Sequence, residues 1–239
     1  MPFRALLDLL FPPLCHVCRA FIPNAGELLI CAGCLNKITL LASPLCTVCG
    51  TPFVTEGGVD HPCGACLTHP PFHTCRSAAV LDGPLQDLIH RFKYGGKVHL
   101  NQALGVLTAA ALRPFGADAA ADLILPVPLH RKRLRQRGYN QSQLIGEILV
   151  KKWQVPLEIG NLRRVRWTEP QTTLDARDRV SNVSGAFEVR DAGRLEGKRV
   201  LLVDDVLTTG STMRACAEAL REAGVAAVFA VTVARGVQP

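Results

Sequence analysis

From about Cys75 to the C-terminus, short β-branched apolar runs alternate with Ala- and Leu-rich stretches whose apolar positions recur every three or four residues. That alternation is the pattern of βα units wrapped around a mainly parallel sheet. It predicts strands at Arg76–Leu81, Asp122–Val127, Leu157–Ile159, Ala186–Val189, Arg199–Asp204 and Ala226–Ala234. Helices are predicted at Pro84–Tyr94, Leu100–Leu112, Gln141–Trp153 and Thr212–Ala223, the last running into Gly224, a residue type suited to ending a helix. Before Cys75 the period is lost. The chain there is rich in Pro and Gly and holds nearly all the cysteines, so it divides into a cysteine-rich module, residues 1–74, and an α/β domain, residues 75–239.

Hydrophobic residues fill 48% of the 239 positions and charged residues 20%, which supplies one full core and excludes a disordered chain. No membrane span is expected: a bilayer requires roughly 20 apolar residues, and the best candidate, Leu123–Leu129, is cut by Pro126 and Pro128. Asp8 interrupts the N-terminal apolar run and no small-residue cleavage site follows, so no export signal is read there. That points to a cytoplasmic, reducing setting, where paired cysteines bind metal more often than each other.

The formal net charge is +7, and its location matters more than its size. Residues His130–Arg166 hold ten Lys and Arg side chains against Glu147 and Glu158. A basic face focused on one region predicts an anionic partner, either a polyphosphate ligand or nucleic acid.

Four Cys-x-x-Cys pairs follow one another: Cys15/Cys18, Cys31/Cys34, Cys46/Cys49 and Cys63/Cys66. Twelve residues separate the first two pairs and thirteen the last two. This suits two tandem zinc ribbons, each closing a tetrahedral shell of four thiolates and leaving no position for water or substrate. Two structural Zn²⁺ ions are therefore expected. The alternatives are a single ion, with pairs matched out of order or with His16, His61 or His69 as a ligand, and a redox role, for which the strand–helix setting is missing. Metal answers a physical need, because a module with so few large apolar side chains cannot offset its ordering entropy, whereas structural zinc supplies on the order of 10 kcal/mol. Cys75 and Cys216 stand outside the pattern and read as small buried hydrophobes.

The densest chemistry lies in Leu201–Met213, Leu-Leu-Val-Asp-Asp-Val-Leu-Thr-Thr-Gly-Ser-Thr-Met. A buried strand ends in two acids, and a turn of hydroxyl and glycine residues then opens a helix. Thr208, Thr209, Gly210, Ser211 and Thr212 can aim backbone N–H groups and hydroxyls at one phosphate, with Gly210 permitting close approach. Asp204 and Asp205 alternate across the strand, so at most one faces the phosphate directly. A carboxylate beside a phosphate needs an intermediary, either sugar hydroxyls or Mg²⁺, and the combination describes a 5-phosphorylated ribose. The competing reading is a capped helix with an acidic turn and no ligand. A Walker loop and a Rossmann fingerprint are excluded by the absence of Gly-Lys-Ser/Thr and of Gly-x-Gly-x-x-Gly.

Leu125-Pro-Val-Pro-Leu-His130 leads into Arg-Lys-Arg-Leu-Arg-Gln-Arg-Gly-Tyr-Asn-Gln-Ser142. The strand delivers this basic loop to the same sheet edge as Asp204, where Arg133, Arg137 and the N–H groups near Gly138 can grip a pyrophosphate while Asn140 caps the next helix. A solvated basic helix start, or a nucleic-acid patch with Tyr139 for stacking, are the other readings. The polar stretch Asn161–Gly185, with Gln171, Arg177 and Arg179, is long enough to serve as a lid. Phe92-Lys-Tyr-Gly-Gly-Lys97 is a further basic turn, read as a helix stop or a second ligand contact.

The two acids and the Thr-Thr-Gly-Ser-Thr loop resemble the phosphoribosyl pyrophosphate (PRPP) signature of type I phosphoribosyltransferases. Together with the opening Leu-Leu-Asp-Leu-Leu-Phe-Pro-Pro-Leu-Cys-x-x-Cys, the Phe-Lys-Tyr-Gly-Gly turn, Arg-Gly-Tyr-Asn-Gln-Ser and Gln171 with Arg179, they are similar to the ComF family over nearly the whole chain. The resemblance implies a zinc-ribbon head on a type I phosphoribosyltransferase-like domain. In such a domain Asp204 and Asp205 meet the ribose hydroxyls and Mg²⁺, Thr208–Thr212 holds the 5-phosphate, and the loop with Gln171, Arg177 and Arg179 closes over the pyrophosphate. It also implies a part in natural transformation, with incoming single-stranded DNA and DNA-uptake helicase-type proteins as partners. Either PRPP is a bound ligand, or phosphoribose is transferred from it to a base or amine.

Overall fold

The computed structural model describes residues 11–54, 57–68, 70–167 and 185–237. The strands in chain order are β1 (Thr74–Val80), β2 (Leu123–Pro126), β3 (Leu162–Arg164), β4 (Phe187–Val189), β5 (Arg199–Leu207) and β6 (Ala227–Arg235). Four of them form a fully parallel sheet in the order β1-β6-β5-β2, and β3 and β4 make a separate antiparallel pair. The central strand β6 is buried along its whole length, as its unbroken apolar run requires.

The helices are α1 (Ala32–Leu35) and α2 (Gly64–Thr68) in the cysteine-rich module, then α3 (Gly83–Tyr94), α4 (Leu100–Ala111), α5 (Arg113–Ala119), α6 (Arg131–Arg137), α7 (Gln141–Trp153) and α8 (Ser211–Glu222). They cover both faces of the sheet. On one face Leu201, Val203, Val231 and Val233 pack against Leu88, Leu104, Ile145 and Leu149 of α3, α4 and α7. On the other, Val200, Leu202, Val228 and Ala230 meet Met213, Cys216 and Leu220 of α8, together with Leu162 and Phe187 of the β3–β4 pair. Helices α4 and α7 approach closely because Gly105 lacks a side chain; a Cβ there would fall 2.6 Å from Ile148 Cβ.

The cysteine-rich module lies along the β1 edge. Leu40 forms an antiparallel bridge with Ala79, Val80 N donates to Thr39 O (2.8 Å), and Cys75 N donates to Val48 O (2.6 Å). Arg235, only 9% exposed at the end of β6, donates to Cys49 O (2.7 Å) and Thr51 Oγ1 (2.5 Å). The module is thereby bonded to both the edge strand and its neighbour.

Four departures from the expected elements are seen, the first three with a direct physical cause. Leu157–Ile159 makes only an isolated bridge, Leu157 with Ile124; Pro156 has no N–H to extend a ladder, and Gly160 (φ +83°) turns the chain, so the true strand follows at β3. The basic stretch after Pro128 is helical over Arg131–Arg137 instead of a loop. His130 accepts from Lys132 N through Nδ1 (3.3 Å) at its start, Gly138 (φ +84°) ends it, and the residues between are good helix formers. Helix α5 begins with Arg113-Pro114, where proline suits a first turn. Strand β5 also runs three residues beyond Asp204.

Candidate functional site

The extension of β5 shapes the site. Its pairing with β6 continues to Leu207 opposite Arg235, whereas its pairing with β2 stops at Pro126 opposite Val203, with one more bond from Val127 N to Val203 O (2.9 Å). Beyond that point the chains diverge, β2 toward α6 and β5 toward α8. The crevice lies outside the carboxyl ends of the strands, where ligands of open α/β sheets gather. It has a volume of about 210 Å³ and is lined by Asp204, Asp205, Thr208, Thr212, Lys93 and Arg133, among others.

Asp204 and Asp205 fall on opposite faces of β5, as their alternation requires, yet both line this crevice. Asp204 Oδ1 accepts from Ser142 Oγ (2.7 Å) and from Asp205 N (2.9 Å). Burial, and then the neighbouring Asp205 charge, push the Asp204 carboxyl up to about 7 against the opposing pull of Lys93, Ser142 and the Asp205 N–H. Asp205 is 2% exposed, and its Oδ1 lies 3.0 Å from Lys93 Nζ. Its Oδ2 is buried with no hydrogen-bond partner among the described residues. A buried carboxylate oxygen with no partner is costly, and it is the kind of ligand a hard divalent cation takes, so the donor set fits Mg²⁺.

After β5 the chain turns through Thr208, Thr209 and Gly210 into α8. Thr209 Oγ1 and Ser211 Oγ are 2.9 Å apart, and Ser211 is buried at the first helical position. Gly210 is needed for its backbone angle, φ +77°, more than for space; a Cβ there would make only ordinary contact with Leu207 Cδ1 at 3.6 Å. The turn places hydroxyls and the N-terminus of a twelve-residue helix at the crevice.

Asn140 caps α7, accepting from Ser142 N (3.0 Å) and donating to Val127 O (3.0 Å). It thus ties the turn after Gly138 to the end of β2. Arg137 donates to Gln141 Oε1 (2.6 Å) and lies 5.4 Å from the Tyr94 ring centroid. Tyr139 is half-buried, with its hydroxyl donating to Phe92 O. Its neighbour Tyr94 is 66% exposed. Arg133 and Arg137, with Lys93, Gln136 and Tyr139, line a second cleft of about 530 Å³ beside the acidic one. Gln171, Arg177 and Arg179 lie outside the described residues.

The eight paired cysteines form two groups, Cys15/Cys18/Cys31/Cys34 and Cys46/Cys49/Cys63/Cys66, with all sulfurs of a group within 4.8 Å of one another. Cys18 and Cys31 Sγ are 3.7 Å apart, and Cys49 and Cys63 Sγ 3.8 Å. A tetrahedron with Zn–S bonds of about 2.3 Å has edges of roughly 3.8 Å, so the sulfurs already sit at structural-zinc spacing. Burial alone would raise the Cys15 and Cys46 thiols, but backbone N–H groups, chiefly from Cys31 and Cys63 respectively, outweigh it and bring both down to about 6. That favours the thiolate a metal requires. His16 and His61 belong to neither group; His61 instead stacks on Phe53 at 4.0 Å. His69 lies outside the described residues. Cys75 and Cys216 are fully buried, as expected.

Sequence reasoning gave no individual role to Ser142, Lys93, Arg235 or Arg164. Lys93 and Arg164 line the acidic crevice, Ser142 bonds Asp204, and Arg235 holds the second cysteine group. Ser142 and Lys93 carry a local signal, since each stands within a polar motif at a predicted helix end.

The comparisons with known proteins agree with this geometry. Residues 6–67 match the double zinc ribbon domain and residues 104–238 the phosphoribosyl transferase domain. A 219-residue stretch is 34% identical to competence protein F of Haemophilus influenzae, covering 88% of this chain and 92% of that protein. The chain belongs to the ComF family. This ComF-family chain is also 35% identical to the DNA utilization protein YhgH of Escherichia coli, over 91% of its own length and 94% of the relative's. Against the competence protein ComFC of Bacillus subtilis the identity is 26%, over 83% and 80% of the two chains. Its ribbon match and its two four-cysteine groups together support structural zinc. Among the described residues, no helix of the ComF-family chain is long and apolar enough to cross a membrane.

Proposed function

We propose that this chain binds PRPP, or a closely related phosphoribosyl ligand, together with Mg²⁺, and acts in the cytoplasm in the handling of incoming single-stranded DNA. The observation that carries the ligand reading is the pair of acids on the part of β5 that runs past its pairing with β2, continuous with a hydroxyl-rich turn at the N-terminus of α8. In this reading Asp204 and Asp205 accept from the ribose hydroxyls and hold the cation, the latter through its unpartnered Oδ2. Thr208–Thr212 binds the 5-phosphate. Arg133, Arg137 and the backbone around Gly138, Tyr139 and Asn140 receive the pyrophosphate from the neighbouring cleft, and Gln171, Arg177 and Arg179 complete the enclosure. The bound cation supplies charge neutralisation between carboxylates and phosphates. The part in DNA handling is supported by relatives named competence protein and DNA utilization protein, and by the basic surface of α6.

A second reading, transfer of phosphoribose to a base or amine, is favoured by one observation. A cleft of about 560 Å³ with an apolar side, formed by Leu134, Ile159 and Val165, shares Pro128, Leu129 and Arg164 with the acidic crevice. An acceptor there would lie beside the sugar site.

Calorimetry with PRPP and Mg²⁺ tests the first reading: saturable uptake that is lost in Asp204→Ala is expected, and no uptake by the intact chain rejects it. Acceptor-dependent release of pyrophosphate would establish transfer. For DNA, filter binding should show single-strand affinity falling steeply with salt. Unchanged affinity after Arg133→Ala with Arg137→Ala would remove DNA from this surface.

A further inference from the structure

Lys93 lies near the end of α3, just before Gly95-Gly96, and its ammonium reaches into the acidic crevice to sit 3.0 Å from Asp205 Oδ1. It lines both clefts, the acidic one and the neighbouring one formed with Arg133, Arg137, Gln136 and Tyr139. Among the described residues no carboxylate lines that second cleft, whose lining includes Arg133 and Arg137. Two further contacts hold the two clefts together: Tyr139 donates to Phe92 O, and Arg137 lies over the Tyr94 ring. The turn carrying Lys93 and the turn carrying Gly138 are thus one structural unit.

A divalent cation and the Lys93 ammonium cannot both occupy Asp205 without repelling each other at close range. A pyrophosphate-like anion in the second cleft would offer the ammonium another partner within reach of its flexible four-carbon stem. We propose that Lys93 is an exchangeable counterion. In the free chain it neutralises Asp205; when ligand binds, it turns to the anion in the second cleft and a divalent cation takes its place on Asp205. Lys93 is then a positioning residue that couples anion and cation binding at two carboxylate and arginine clusters, and the coupling is reciprocal. This inference rests on the PRPP reading of the crevice.

The test measures each ion alone on the zinc-loaded full chain, with Mn²⁺ followed by loss of its free electron-paramagnetic-resonance signal and inorganic pyrophosphate by calorimetry in metal-free buffer. In Lys93→Met, Mn²⁺ should bind at least about tenfold more tightly, because its competitor is gone, and pyrophosphate about tenfold more weakly. Lys93→Arg should leave both within about threefold of wild type. A purely structural lysine would weaken both ions together or neither, and either result overturns the exchange. Asp205→Asn provides an independent arm that leaves no carboxylate unpaired at this position: with Lys93 released, pyrophosphate alone should bind more tightly than in wild type, and unchanged or weaker binding refutes the proposal. If wild-type protein takes up neither PRPP with Mg²⁺ nor pyrophosphate, the reading of the crevice itself fails. If it takes them up and the opposite-signed shifts are absent, only the exchange fails.

Discussion

Replacing Asp204 by asparagine should stabilise the chain at neutral pH. The Asp204 carboxyl, ordinarily near 3.8, is held at about 7 by burial and by the charge of Asp205. Folding therefore keeps on Asp204 a proton that the unfolded chain releases above about pH 4. A group raised in this way adds stability that is complete below its unfolded value and is lost as pH climbs through the folded one. Between pH 5 and 7 the loss proceeds at close to 1.36 kcal/mol per pH unit, or about 2–3 kcal/mol in total. Asparagine keeps an oxygen for the Ser142 and Asp205 N–H bonds and carries no charge at any pH. Urea unfolding of both proteins from about pH 5 to 8, zinc-saturated and free of magnesium, should show wild type losing about 2–3 kcal/mol relative to Asp204→Asn, with the curves parallel above about pH 8. Curves parallel throughout would refute the raised Asp204. A crossing in the opposite sense would show that the two aspartates share their proton differently.

Gly105→Ala should cost about 1–2 kcal/mol, the strain against Ile148 exceeding the gain in helix propensity, and should lower the urea midpoint without changing its slope. Gly210→Ala forces an L-residue to φ +77°, at a cost of about 1–2 kcal/mol. Calorimetry should then show PRPP affinity reduced by about tenfold. Elemental analysis should find two zinc ions per chain, and chelation should lower the melting temperature by unfolding the cysteine-rich module first; a single ion, or a melting curve unchanged by chelator, contradicts that.

Strong local codes are what made the chemistry legible before the fold. The Cys-x-x-Cys spacings allow few alternatives, and the sulfurs converge as two separate groups of four. Leu201–Met213 could be read because an unbroken apolar run, two acids and a small-residue turn each restrict the backbone on their own. Weak codes failed where tertiary contacts decide. Arg131–Arg137 has no apolar face to display a period, and only the His130 cap and Gly138 reveal its helix. Leu157–Ile159 looked like a strand by composition, but Pro156 and Gly160 bracket it and hold its pairing with β2 to the single bridge at Ile124. Lys93 and Asp205 are 112 positions apart, and nothing in either neighbourhood specifies the other; the sheet order β1-β6-β5-β2 and the packing of α3 bring them together.

Strand β1 ends the sheet, and an uncovered terminal strand offers a row of unpaired amides to any extended chain it meets. Here the segment around Thr39–Leu41 and the knuckle at Val48 fill that row. Both segments adjoin the two sulfur clusters, so a cell starved of zinc would do more than loosen a peripheral head: it would unmask a sticky flank of the α/β domain. Metal supply would in that case govern how long the protein stays dispersed, and demetallated chains should be found in fibrous or granular deposits before any of the buried helices has melted.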